Sequence, residues 1–314
     1  MRAPSSLIPA FILVALWAAG FGLKQVAWTD PAGEPLTVSL VQGNVAQDLK
    51  WRDEQLRTIL ETYLALVRSA GGRLIILPET ALPLFLDQAP AGYLEALAAH
   101  ARGNRGDILF GVPERGPDGN YFNSVITLGA SPPQAYRKSH LVPFGEFIPV
   151  RAVLGWIVGV LAIPLQDFAR GADSQLPLEV AGQRVAADIC YEDAFGEEII
   201  RQLPAATLLV NVSNVAWFGR SIAPQQHLQI SQTRALETGR YMLRATNTGV
   251  TAVINERGYV EESAPEYTSA VVTRAVRGYR GTTPFVRWGN YGALALAGVL
   301  AAFAFFAGAR RAPG

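Results

Sequence analysis

The sequence predicts an α/β fold: one domain of sheets covered by helices, set between two apolar segments. Three observations predict it. Short apolar runs recur along the middle of the chain, each ended by turn residues. Between the first two runs, Asp53 to Ser69 places Leu56, Ile59, Leu60, Tyr63, Leu64 and Val67 at i, i+3, i+4, i+7, i+8 and i+11, the period of an amphipathic helix. Near each end of the chain, about 20 residues carry no charge.

Taken in order, "LTVSLVQG" (Leu36 to Gly43) alternates with period two and reads as a strand, followed by the helix just described. "RLIILPE" (Arg73 to Glu79) is a buried strand, Tyr93 to Ala101 is helical, and "DILFGVPE" and "YFNSVITLG" flank a "GPDGN" turn as a hairpin-like pair. "RVAADIC", "TLLVNVSN", "YMLRATN", "VTAVINERG" and "TSAVVTRAV" supply further strands, with helices around Ala194 to Gln202 and Gln225 to Thr238. No Pro/Ser/Gly linker or internal repeat divides this stretch, so a single domain is expected over residues 34–278. Val150 to Pro164 is apolar, too short to span a membrane comfortably, and contains Arg151. It reads either as a core helix or as an arm dipping into a bilayer beside the site.

Half of the residues are hydrophobic, only 17% are charged, and mean hydropathy is +0.18, high for a water-soluble domain. The net charge of +1, with no polybasic block, gives nothing to attract a polyphosphate backbone, so nucleic acid is not an expected partner. Ser5 to Leu23 and Gly289 to Ala309 hold the uncharged runs, of 19 and 21 residues. Each is long enough for a bilayer, and transmembrane helices are expected over residues 5–28 and 288–309, with Trp288 and Tyr291 as interface anchors. Arg2, Arg310 and Arg311 place both termini in the cytoplasm by the positive-inside tendency, and the domain on the opposite side. The rival reading of the first segment is a secretory signal peptide.

Cys190, the only cysteine, sits where "RVAADIC" breaks into the acidic "YEDAFGEE". It is an inert core side chain or a nucleophile. A thiol, with its ordinary pKa of about 8.5, needs a base. His140 or His227 would make a Cys-His dyad, but the strand exits carry acids, and Glu79 ends "RLIILPE". A carboxylate there can take the thiol's proton and return it. Lys138, one of three lysines, lies in "AYRKSHLVPFGEF", and a fixed ammonium stabilises the oxyanion of acyl transfer. There is no HExxH, paired-cysteine metal site, Walker A loop or strand-linked GxGxxG, so neither metal nor cofactor is expected.

Glu79 in "LPET", Lys138 in "YRKSHLVPFGEFIP" and Cys190 in "DICYEDAFG" resemble the Glu-Lys-Cys triad of the nitrilase superfamily. With "NVSNVAWFG" and "QHLQISQTRALETGRYMLRATNTGVTAVI", the chain from Leu36 to Val276 is similar to the membrane-bound branch, the apolipoprotein N-acyltransferases. The resemblance implies an α-β-β-α sandwich in the periplasm of a bacterial inner membrane, flanked by the two spans, with further transmembrane helices before the first. It implies ping-pong acyl transfer through a cysteine thioester, from a phospholipid to the α-amine of an S-diacylglyceryl-cysteine lipoprotein, by a monomer without cofactor. By the same resemblance Glu79 is the base, Lys138 the oxyanion stabiliser and Cys190 the nucleophile. Glu146 supports the lysine, Tyr191 and Glu192 follow the nucleophile, and Trp51 and Pro149 handle substrate or place a loop; Trp156, on the apolar arm, and Trp217 are further candidate substrate contacts. Val215 stands where the family pattern has an aspartate. Two rivals keep the same motifs: an amidase acting on a small soluble amide, and an inactive membrane-anchored scaffold.

Overall fold

The computed structural model describes residues 7–148 and 168–309. Helix α1 (Leu7–Lys24) leads into β1 (Thr29–Gln42), α2 (Asp53–Ser69), β2 (Leu74–Ile76), α3 (Tyr93–Gly103) and the strands β3 (Asp107–Arg115), β4 (Tyr121–Gly129) and β5 (Ala135–Arg137). After residues 149–167 come β6 (Leu178–Val180), β7 (Gln183–Ile189), the short α4 (Gly196–Ile199), β8 (Leu208–Ser213), α5 (Ala223–Thr238), β9 (Met242–Thr246), β10 (Ala252–Ile254), β11 (Val260–Ser263) and β12 (Ala270–Gly281). Two helices, α6 (Pro284–Trp288) and α7 (Tyr291–Ala309), follow.

The strands form two six-stranded sheets, ordered β12-β1-β2-β3-β4-β5 and β11-β10-β9-β8-β7-β6. Each has a parallel centre: β1, β2 and β3 in the first, β7, β8 and β9 in the second. Parallel strands buried on both faces read as near-continuous apolar runs, and "LII" of β2 and "LLVNVS" of β8, apolar but for Asn211 and Ser213, are buried throughout. The alternating side chains sort into layers. Val38, Leu40, Leu74, Ile76 and Leu109 from one sheet meet Val185, Leu208, Val210 and Leu243 from the other. Each of these fully buried side chains contributes about 1.5–3 kcal/mol relative to exposure.

On the outer face of the first sheet, Ile75, Ile108 and Phe110 take Ile59, Leu60, Tyr63 and Val67 of α2 and Leu97 of α3. On the outer face of the second, Ala186, Leu209 and Met242 take Ala235 of α5 and Ile199 of α4. The architecture is helix, sheet, sheet, helix, as the sequence led us to expect.

One expected element is corrected. Residues 194–202 do not form one helix, because Phe195, at φ −108° and ψ 75°, interrupts it; a 3₁₀ turn at Cys190–Ala194, α4 and a second 3₁₀ turn at Ile200–Gln202 replace it.

The first half of β1 is an exposed ribbon paired with the end of β12, with Thr29 opposite Gly281. That pairing brings the end of α1 and the start of α6 to the same place. Among the described residues no helix is long and apolar enough to cross a membrane. The 18-residue α1 and the 19-residue α7 nevertheless expose large apolar side chains, among them Phe11, Trp17, Phe21, Leu294 and Phe303.

Candidate active site

Since β4 is antiparallel to β3 and β5 to β4, β5 points the same way as β1, β2 and β3. Glu79 lies three residues beyond β2, Lys138 one beyond β5, Cys190 one beyond β7 and Asn214 one beyond β8. All therefore emerge at carboxyl ends of co-directional strands, where α/β sheets open their crevices. They line one cavity of ≈ 530 Å³ together with Glu146, Asn123, Trp51 and Trp217.

Glu79 is fixed at both oxygens. Asn123 Nδ2 donates to Oε1 at 2.8 Å and the backbone N–H of Asn214 to Oε2 at 2.8 Å. The main chain presenting it is tight: Thr80 has φ 49°, and a Cβ at Gly111 would come within 2.5 Å of Glu79 Cα, so that neighbour has to be glycine. Lys138, with 1% of its surface exposed, places Nζ 2.8 Å from Glu146 Oε2 and 3.8 Å from Glu79 Oε1. Glu146 is itself held by Asn123 Nδ2 and the N–H of Val142. Burial works against the Lys138 charge, but Glu79 and Glu146 outweigh it and hold the ammonium above the ordinary lysine range.

Cys190 sits at φ 55°, a left-handed conformation costly for a residue with a Cβ. Burial first, then the negative Glu79, push its thiol up to about 12, with Lys138 pulling the other way. The Cys190 thiol is thus protonated at rest, and to act as a nucleophile it would need a neighbouring group such as the Glu79 carboxylate to take its proton. Neither histidine serves that purpose here. His140 Nδ1 lies 3.1 Å from Glu198 while its ring stacks on Phe195, and His227 Nδ1 meets Arg244 at 2.7 Å.

Glu192 is a buried hub. Its Oε1 accepts from Ser139 N, Ser139 Oγ and His140 N, and its Oε2 from Ile189 N and Tyr136 OH, at 2.7–3.0 Å. This ties the residue after Lys138 to the residue before Cys190, and so sets their separation across the two sheets. Tyr191 lies at the surface, its ring edge-on to His140 and Phe195. Trp51 and Trp217 are exposed aromatic walls of the cavity, shared with an adjoining apolar space of ≈ 640 Å³ that also takes in Leu84, Phe85 and Tyr121. Val215 is buried, and its side chain fills the space that a Cβ at Gly249 would need. Pro149, Trp156 and the segment Val150 to Pro164 lie outside the described residues.

Several side chains join the site that sequence reasoning missed. Asn123 bridges the two carboxylates, Asn214 holds Glu79, and Lys50, also buried, donates to the Glu79 carbonyl at 3.3 Å. Lysine scarcity was a signal for Lys50 and the "NVSNVAWFG" motif one for Asn214; for Asn123, inside a strand-like run, there was none. Behind Cys190 lies a second charged cluster, in which fully buried Arg244 donates to Asp193 Oδ2, Asn211 Oδ1 and Ser231 Oγ. Asn211 in turn donates to the Cys190 carbonyl at 3.2 Å. Among the described residues no group of His, Cys, Asp and Glu is arranged to hold a metal ion.

Comparison with known proteins places the chain in a family. Residues 37–284 match the carbon-nitrogen hydrolase family. The chain is 58% identical over 298 residues to the apolipoprotein N-acyltransferase of Nitrosomonas europaea, covering 93% of this chain and 60% of that protein. It is 48% identical to the enzyme of the same name from Chromobacterium violaceum, covering 94% and 57%. The chain thus spans a little over half the length of these relatives. Among solved structures, a CN-hydrolase superfamily protein of Xanthomonas campestris with an arsenic adduct in its active site superposes with TM-score 0.59 at 22% identity, covering 78% of this chain and 91% of that one. Nit3 of Saccharomyces cerevisiae, in branch 10 of the nitrilase superfamily, gives 0.59 at 15%, covering 79% and 93%. These last two share the fold.

Proposed function

The chain belongs to the carbon-nitrogen hydrolase family, and we propose that it performs the acyl transfer of an apolipoprotein N-acyltransferase, from a phospholipid to the α-amine of a diacylglyceryl-cysteine lipoprotein. The observation that carries this reading is the shared cavity, in which a carboxylate, an ammonium and a thiol stand beside an apolar aromatic wall. The names of the relatives support the substrate class.

In the first half-reaction Cys190 Sγ attacks the ester carbonyl as Glu79 takes the thiol proton, and the carbonyl π pair becomes an oxyanion beside Lys138 Nζ. Collapse breaks the C–O bond, and Glu79 returns the proton to the departing lysophospholipid oxygen. A thioester remains on Cys190. In the second half-reaction the amine attacks this thioester, loses a proton to Glu79, and expels the sulfur, which is reprotonated as the amide forms. Water has to be excluded while the thioester persists, and Trp51, Phe168, Trp217 and Phe218 provide apolar surface around the thiol.

We propose further that α1 and α7 seat the domain on a bilayer, the bacterial inner membrane, with the catalytic domain on its periplasmic side. Their exposed apolar side chains and adjacent points of exit support this.

Intact-mass measurement after incubation with phospholipid vesicles tests the chemistry. A fatty-acyl increment on the wild type, absent in Cys190→Ala, is the expected result. An unmodified protein that releases ammonia from simple amides would overturn it in favour of hydrolysis.

A further inference from the structure

The turn before α2 reaches the site twice. Gln47 accepts from Asn214 Nδ2 at 2.9 Å, and Asn214 is the residue whose backbone N–H holds Glu79 Oε2. Three residues on, Lys50 closes the turn with its N–H on the Ala46 carbonyl, and sends its side chain inward until 2% of its surface remains exposed. Its Nζ donates to the main-chain carbonyl of Glu79. The next residue, Trp51, is a wall of the cavity.

A buried ammonium is costly unless it faces negative charge. The proposed mechanism uses two carboxylates, Glu79 and Glu146, and one ammonium, Lys138, which leaves a net negative charge around a thiol that must itself become anionic. Lys50 Nζ meets the main chain of Glu79 just beyond β2, and the negative charges of Glu79 and of a Cys190 thiolate both favour its ammonium. Lys138 and Glu146 complete the charged set about Glu79, whereas Asp48 and Asp53 on the Lys50 segment are exposed to solvent.

We propose that Lys50 is a positioning residue of this site: its buried ammonium grips the main chain that presents Glu79 and supplies the second positive charge facing the carboxylate and the Cys190 sulfur, so that the site is fully active only while Lys50 is protonated. The inference rests on the acyl-transfer reading for its kinetic readout but not for its chemical one.

Burial lowers Lys50 to about 8, although Glu79 and Cys190 pull it back up. The charge is therefore present below that pH and lost above it. Acyl-enzyme formation from phospholipid vesicles, followed by intact mass between pH 6 and 10, should fall in the wild type as pH rises through about 8. K50M should be slower by about tenfold or more below that point, the loss of one charge-assisted hydrogen bond, and should lack the alkaline fall. K50R, charged throughout, should retain the rate on the alkaline side. The second readout is alkylation of Cys190 by iodoacetamide, which needs no acyl donor and should be slower in K50M than in the wild type at any one pH below 8.

A wild-type fall that K50R leaves in place overturns the proposal, as does a K50M variant that matches the wild type in both readouts. If K50M does not fold, the K50R profile still decides. If the wild type forms no acyl-enzyme but its alkylation depends on Lys50 in this way, the acyl-transfer reading fails and the role of Lys50 stands.

Discussion

Two charged clusters are buried on either side of the Cys190 turn, and they differ in what they leave open. In front, Glu79, Lys138 and Glu146 line a cavity, and the carboxylate that faces the thiol has its position fixed by Asn123 and Asn214. Behind, Arg244 and Asp193 are 0% exposed at their side chains and lie under α5, with Ser231, His227 and Asn211 completing the network. Both bury charge at a desolvation cost. In the proposed reaction the front cluster uses it to move a proton and hold an oxyanion. The rear one fixes the geometry of the turn through Asn211 on the Cys190 carbonyl and Asp193 within the turn itself.

If the division is right, mutations in the two clusters separate activity from stability. The largest effect on activity is expected from Glu79→Gln, which keeps the shape and one of the two acceptor oxygens but removes the proposed base. Acyl-enzyme formation should drop by about 10²–10⁴-fold, with the urea midpoint nearly unmoved. A comparable collapse of both would make Glu79 a fold determinant rather than the base. The mirror image is Arg244→Met. It leaves Asp193 buried without its cation, and unfolding in detergent micelles should show a loss of about 3–5 kcal/mol, while the alkylation rate of the remaining folded Cys190 stays within a few-fold of wild type.

The rear cluster also has a titration signature. Burial, then Arg244, depress His227 to about 3, so the native ring stays neutral while an unfolded histidine protonates below about 6.5. The stability this contributes is present above 6.5 and is lost as pH falls towards 3. Asp193 has the opposite sign: burial lifts it to about 6 against the pull of Arg244, so its contribution is present in acid and is lost as pH rises through 6. His227→Gln removes only the first of these. The stability gap between wild type and variant should therefore close by about 2 kcal/mol between pH 6.5 and pH 5. A gap constant over that range would show that His227 does not titrate on unfolding.

The front cluster was far more legible in the sequence than the rear one, for physical reasons. Glu79 and Cys190 each end an apolar run, where a chemically assertive residue stands out, and Lys138 is one of only three lysines. The helix from Asp53 to Ser69 was readable to the residue because its apolar stripe spans several turns. β5 and β6, three residues each, are too short for any period to show. Arg244 and Asn211 lie within strands buried on both faces, where alternation carries no information about which polar side chain meets which. Asn123 acquires its role only through the β3–β4 register and the loop that returns Glu146 to it. Such residues are found by folding the chain, because their partners lie far away in sequence and are matched by position rather than by pattern.

The smallest expected effect tests the backbone of Cys190 itself, the hinge between the two clusters. Cys190 adopts φ 55°, where a side chain crowds the following carbonyl and glycine does not. The rear cluster, gripping the turn through Asn211 and Asp193, holds the residue there, so strain is balanced by hydrogen bonds from behind while the thiol points to the front. Cys190→Ala and Cys190→Gly should both abolish acyl-enzyme formation, and their stabilities should nonetheless differ: the glycine variant should unfold at higher denaturant, by up to about 1 kcal/mol, because relief of the left-handed strain exceeds the added flexibility of its unfolded chain. If alanine proves the more stable of the two, the turn is not under strain, and the rear cluster serves only to pack α5 onto its sheet.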